Sequence, residues 1–245
     1  MLKFLFPDLR ERAQEQELMD LPDSSGKKLF NTLRQFSFSN FWLSRARRLL
    51  TRIVLADMRR EPARPYTLLD LGAGSCDLPR WLLRICEKQG LKIRITCLEL
   101  DPRTAAYARE KCRPFPAIEV LEGSALSLAS FPAYDYIFAN HFLHHLPSEQ
   151  IPSLLDQVAR KTRRRFLLND IRRSRWAYLG FTFFAGLWAR NSFTFYDGRL
   201  SIRKGFTPGE MQALLARSLA GGRTKLLLLP PARVALDGAG TELME

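Results

Sequence analysis

The chain has three histidines, and all of them, His141, His144 and His145, fall within ANHFLHHLP at 139–147. Histidine is the side chain whose ordinary pKa lies nearest neutrality, so such a cluster can bind a metal, move a proton or satisfy hydrogen bonds in a tight turn. A second stretch, LLDLGAGSCDLP at 68–79, places Gly72 and Gly74 between the carboxylates Asp70 and Asp77. Glycine there permits tight turning and a close approach of backbone to ligand. Glu99, in CLELDP, lies 25 residues beyond Gly74, about the spacing at which an acid takes the hydroxyls of a ribose. Asp101 competes for that role, but the register into the following helix favours Glu99. Asp170 ends RRFLLND, and Arg172 and Arg173 follow it. The cysteines, Cys76, Cys86, Cys97 and Cys112, sit in or beside apolar periodic segments with no CxxC pair, which reads as buried thiols in a reducing compartment. A zinc site would have to gather ligands from far apart, so no metal is expected.

Positioning these residues requires a sheet. From residue 66 the chain alternates: strand YTLLDL, the glycine turn, helix DLPRWLLRICEKQG, strand IRITCLEL, helix PRTAAYAREKC, strand AIEVLEG. Strand DYIFAN, helix SEQIPSLLDQVARK and strand RRFLLND follow. Repeated βαβ units imply right-handed crossovers and a parallel sheet covered on both faces. After Asp170 the pattern becomes aromatic and apolar, and residues 171–205 read as a lid insertion over the sheet's carboxyl edge. A helix, TPGEMQALLARS, and two strands, TKLLLLP and ARVALDG, then close the sheet in antiparallel fashion. Ahead of the sheet, residues 1–62 are expected to form a helical cap, including a polar helix around ERAQEQELMD. In its last piece Leu43, Leu49, Leu50, Ile53, Val54 and Met58 can form one stripe. The expected architecture is therefore α/β and doubly wound: a Rossmann-like domain over 63–245 behind a helical cap.

The glycine loop stands where such a sheet binds an adenosine cofactor. A dinucleotide fingerprint wants a third glycine where this loop has Asp77, and two carboxylates are poor company for a pyrophosphate. A cofactor with a cationic ammonium and no phosphate fits better. At this point the residues resemble the class I S-adenosylmethionine-dependent methyltransferases, over roughly Tyr66 to Asp170 together with the two terminal strands. The resemblance implies cofactor contacts at Asp70, Gly72, Ala73 and Gly74 for the methionine part and at Glu99 and Leu100 for the ribose. It also implies contacts at Ser124, Ala125 and Asn140, although Ser124 stands where many relatives place an aspartate near the adenine. ANHFLHHL is similar to the turn that lies beside the transferred methyl in that family. His144, with His141 as alternate, is then the candidate base for an acceptor hydroxyl, and Arg172 the candidate positive charge for a phenolate. The ELMD region, LHHL, LLNDIRRSR and DGRLSIRKGFTPGEM resemble a bacterial subgroup encoded near type III polyketide synthases. That likeness implies O-methylation of a small, apolar, phenolic or polyketide-derived acceptor.

Net charge is +13, clumped at 45–48, 59–60, 161–165 and 172–175. Such clumps suit a solvated surface, nucleic acid, an anionic membrane or an acidic substrate. An RNA or DNA methyltransferase is the alternative reading, against which stand ANHF, lacking the proline-bearing turn of base amino-methylating families, and the absence of a recognition module. A non-catalytic cofactor-binding partner protein is a further alternative. The aromatic run WAYLGFTFFAGLWA is too short to span a bilayer, but it can roof an acceptor or contact a membrane surface peripherally. The apolar run in MLKFLFPDLRER is too short for a signal-peptide core, which gives a cytoplasmic expectation.

Overall fold

In the computed structural model, which describes residues 7–243, the expected alternation becomes a seven-stranded sheet of order β3-β2-β1-β4-β5-β7-β6. The strands are β1 (Pro65–Leu71), β2 (Lys92–Glu99), β3 (Ile118–Glu122), β4 (Tyr134–Asn140), β5 (Thr162–Ile171), β6 (Thr224–Leu229) and β7 (Arg233–Ala239). β1 to β5 are parallel, and β7 runs antiparallel between β5 and β6. Leu68, Leu69 and Leu71 are buried on both faces of β1, as a central parallel strand requires. The order reverses between β1 and β4, so their carboxyl ends open the crevice in which ligands of such sheets bind.

Helices α1 (Gly26–Trp42), α3 (Asp77–Lys88), α4 (Pro102–Cys112), α5 (Ile151–Lys161) and α8 (Pro208–Ala216), with the rod α2 over 46–58, pack around this sheet. One core joins α2, α3 and α4 to the sheet, and a second joins α5 and α8 to its other face. In α5 the buried Ile151, Leu154, Leu155 and Val158 follow the three-and-four spacing of a helix with one apolar face. The insertion after β5 forms two helices, α6 (Arg175–Trp188) and α7 (Thr194–Lys204), over the carboxyl edge.

The N-terminal expectation needs correction. ERAQEQELMD is extended apart from a 3₁₀ turn at Leu18–Asp20. It offers no apolar stripe to bury as a helix, and its backbone is satisfied elsewhere: Ala13 N–H donates to the Arg203 carbonyl, and Leu18 and Met19 N–H donate to Asp197. Leu43 drops out of the expected stripe because the chain breaks before α2, with Arg45 in the left-handed region (φ 60°). The apolar start at 1–6 lies outside the described residues.

The N-terminal helices are tied to the sheet by side-chain amides. Asn169 Nδ2 donates to the Ser44 carbonyl (2.8 Å) and to Asn140 Oδ1 (2.7 Å), while Asn140 Nδ2 donates to Asn40 Oδ1 (3.1 Å). Asn169 is buried, so its loss strands the Ser44 carbonyl and the Asn140 oxygen. Asn169→Ala is expected to lower unfolding free energy by about 1–3 kcal/mol in denaturant titrations. A loss below about 0.5 kcal/mol would show that these amides do not secure the cap.

Candidate active site

One cavity of about 900 Å³ runs along the carboxyl edge of the sheet. Ligand sites commonly hold about 300–1,000 Å³, so this one has room for a cofactor and a second molecule. At one end β1 delivers Asp70 and the loop with Gly72, Ala73 and Gly74, and β2 delivers Glu99 and Leu100. Ser124 and Ala125 follow β3, and Asn140 ends β4, all on the same wall.

The loop is held by its own strands. Gly72 and Ala73 N–H donate to the Leu98 carbonyl, and Glu99 accepts from the N–H groups of Gly74 (2.9 Å), Leu100 (2.9 Å) and Asp101 (3.1 Å). Gly72 has φ +66°, and a Cβ there would lie 2.7 Å from the Phe142 ring, so this turn admits only glycine. Gly74, at φ +54°, faces open space. Asp101 is occupied as the N-cap of α4 and in an ion pair with Arg103, which leaves Glu99 as the acid facing the loop. Ser124 caps the following turn by accepting from Leu126 N–H, and the Leu100 side chain is largely exposed at the rim.

The electrostatics of this end ask for a cation. Burial, reinforced by Asp77 and Glu99, raises the pKa of Asp70 well above its ordinary value. Burial raises Asp77 and Glu99 as well. Three carboxylates crowded in this way gain from a positively charged ligand and repel a phosphate. The cradle therefore fits S-adenosylmethionine: Asp70 and Asp77 can hold its positive charges, and Glu99 its ribose.

The histidines occupy the other end. Leu143–His145 forms a 3₁₀ turn, while His141 stands before it in the left-handed region (φ 57°) rather than stacked one helical turn above. All three histidines nevertheless line the cavity. His144 is buried; its Nδ1 lies 2.6 Å from Asp170 Oδ1, and its backbone N–H donates to Asp170 Oδ2 (3.1 Å). Its Nε2 is buried, has no hydrogen-bond partner among the described residues and faces Glu17 Oε1 at 3.7 Å. Burial alone would depress the His144 pKa, but Asp170 and then Glu17 raise it to about 9. Asp170 moves the opposite way: His144 pulls its pKa well below the carboxylate range against the cost of burial. Burial and the neighbouring Arg233 guanidinium drive the His141 pKa well down, and Arg233 hydrogen-bonds to His141 Nε2.

Sequence reasoning missed Glu17, Arg12, Lys204 and Arg233. Glu17 comes from the extended segment, accepts from Ser201 (2.9 Å) and lies 3.8 Å from Lys204 Nζ. Arg12 ties that segment to the His144 and Leu146 carbonyls, and to the Lys204 carbonyl at the end of α7. Glu17, His144 and His145 bring a carboxylate and two imidazoles within 4.8 Å of one another, a set that can hold a divalent ion. Lys204, however, already sits where it compensates Glu17. The positive charge assigned to Arg172 also needs correction. Its backbone is bridged to Phe206 and bonded to Ala232, and Arg172 does not line the cavity. Arg173 is buried against Glu210, and the arginines that line the cavity are Arg233, from β7, and Arg12, from the extended segment. Asp197, on the lid, serves as acceptor for the 18–20 turn.

The doubly wound sheet, the glycine cradle and its buried carboxylates have the arrangement of a methyltransferase site that fits S-adenosylmethionine. Residues 68–165 match the family described as a methyltransferase domain. A search of curated proteins finds no match. Among solved structures, the chain is similar to human N-acetylserotonin methyltransferase bound to S-adenosylmethionine (TM-score 0.57, 17% identity), covering 88% of this chain and 56% of that one. It is also similar to a Nostoc punctiforme protein described as an O-methyltransferase (0.56, 16%; 97% and 68% covered). A third is magnesium protoporphyrin IX methyltransferase of Synechocystis with bound SAH (0.51, 13%; 93% and 90% covered). At these identities the likeness is one of fold.

Because the cofactor is cationic and the carboxylates have raised pKa values, binding should favour their ionised forms and release protons. Affinity should therefore rise with pH until they are ionised. Asp70→Asn is expected to weaken S-adenosylmethionine binding by about tenfold or more, and to reduce the proton release measured by calorimetry in buffers of different ionisation enthalpy. An unchanged dissociation constant would remove Asp70 from the cradle.

Proposed function

We infer that this enzyme methylates the oxygen of a small, apolar, phenolic or polyketide-derived acceptor. The observation that carries the reading is the buried His144, paired with Asp170, which lines the same cavity as the cofactor cradle. When bound, the cofactor supplies an electrophilic methyl group, so the protein's task is alignment and the handling of one proton. Phe181 and Phe184 from the lid and Leu33 and Phe36 from α1 give the cavity apolar walls. His144 commits Nδ1 to Asp170 and leaves Nε2 to take the acceptor proton. Arg233, buried behind His141, favours negative charge developing on the acceptor oxygen. The motifs LHHL, LLNDIRRSR and DGRLSIRKGFTPGEM support a polyketide-derived acceptor through their resemblance to enzymes encoded beside type III polyketide synthases. A roofed site suits a small molecule better than a base that would have to leave its stack.

The groups facing His144 are Asp170, Glu17, His145 and His141, with Lys204 acting through Glu17. Held at about 9, the imidazole is mostly protonated at neutral pH, and only its neutral form accepts a proton. With radiolabelled cofactor and a phenolic extract, label should enter the organic phase, and kcat/KM should rise with pH and level above about 9. Asp170→Asn removes the carboxylate charge that raises this pKa, so the rising limb should move to lower pH. His144→Ala should lower kcat by about 10² or more while cofactor affinity stays within about twofold. A limb that does not move in Asp170→Asn removes the base assignment.

A further inference from the structure

The lid helix α6 is apolar on both sides. Tyr178, Thr182 and Ala185 are buried beneath it, while Trp176, Phe183 and Leu187, spaced seven and four residues apart on the opposite face, are 85%, 75% and 64% exposed. The patch continues onto α1, where Phe38 and Phe41 are each 48% exposed and the Phe38 ring lies 5.6 Å from that of Trp188. A solvent-facing stripe of this kind on a soluble protein marks a surface that is covered in use.

Charge indicates what covers it. The sequence has no Asp or Glu between Asp23 and Asp57, a stretch with seven Lys or Arg, and none between Asp170 and Asp197, a stretch with four Arg. Arg175 and Arg190 are exposed at the two ends of α6, Arg34 is exposed on α1, and Arg47 lies over the Phe41 ring. No helix among the described residues is long and apolar enough to cross a membrane. Exposed aromatics ringed by guanidinium groups, with no carboxylate on either segment, suit the headgroup and upper acyl region of an anionic bilayer.

We propose that the outer face of α6, with Phe38 and Phe41 of α1, docks on an anionic lipid bilayer, and that an apolar acceptor enters the cavity from it. The docking surface stands on its own observations, whereas the acceptor's route rests on the function inferred above. Trp176 and Phe184 line the cavity as well as the exposed face, so the same side chains border both lipid and site.

The test is flotation of the full chain with vesicles of phosphatidylcholine alone or with phosphatidylglycerol, and it involves no methyl transfer. Binding should require the anionic lipid, weaken with salt, and fall by about tenfold or more in the double variant Phe183→Glu/Leu187→Glu, whose residues do not line the cavity. Leu219→Glu, at an exposed leucine outside the patch, should bind like the parent. Thermal melting and cofactor binding of the double variant, unchanged from the parent, establish that it folds. Three outcomes would overturn the proposal: no binding to anionic vesicles, equal binding by the double variant, or a dimer in lipid-free solution that the double variant abolishes. The last would assign the face to a second copy of the chain.

Discussion

Asp170, the penultimate residue of β5, has no exposed surface, and a buried carboxylate persists only when its charge and its lone pairs are answered. Here the answer is local and complete: the N–H groups of His144 and Ile171 and the imidazole Nδ1 of His144 all address it. Removing one side of such a buried pair typically costs about 3–5 kcal/mol, so the turn after β4 is fixed to the end of β5. The parallel register that pairs Asn140 with Asn169 brings these strand ends together. Once Nδ1 is committed, Nε2 remains, and it faces Glu17 on the wall of the cavity.

The two ends of the cavity use the same residue types to opposite effect. Asp70, Asp77 and Glu99 are buried with raised pKa values, because burial outweighs the donors and cations around them. Asp170 and Glu17 are as deeply buried, yet their pKa values are lowered, Glu17 to about 2, because imidazoles and Lys204 stand against them. The balance between burial and the resident cations decides the sign: Arg80 and Arg47 do not offset the burial of Asp77, whereas imidazoles and Lys204 offset that of Asp170 and Glu17. One end is left short of positive charge until a ligand brings it, and the other is balanced before any ligand arrives.

The fold and the cofactor end were legible because their signals are local. A strand, a glycine turn and a helix are contiguous, and the distance from Gly74 to Glu99 is set by a single βα unit. The acceptor end was only half legible. His144 and Asp170 were each visible at a strand end, and the adjacency of β4 and β5 could have joined them into a pair. Glu17, Lys204 and Arg233 meet there from three remote segments with no shared spacing, so nothing in the linear pattern announces them. Arg172 shows that a position after a strand end does not fix the direction of a side chain. Its backbone pairs with Phe206 and Ala232, and Arg172 is not among the residues that line the cavity. ERAQEQELMD misled because polar composition suits a solvated helix as well as an extended strap held by other elements' donors and acceptors.

That strap bears on how the chain is assembled. Its turn is capped by Asp197, Glu17 meets Ser201 and Lys204, and Arg12 grips the end of α7, contacts that close loops of about 180 to 190 residues. Closing loops of that length must wait until α7 exists and has docked. During synthesis the segment that leaves the ribosome early is therefore among the last to find its place. Until it does, the nascent chain holds its glycine cradle but lacks Glu17, the carboxylate that faces His144 Nε2.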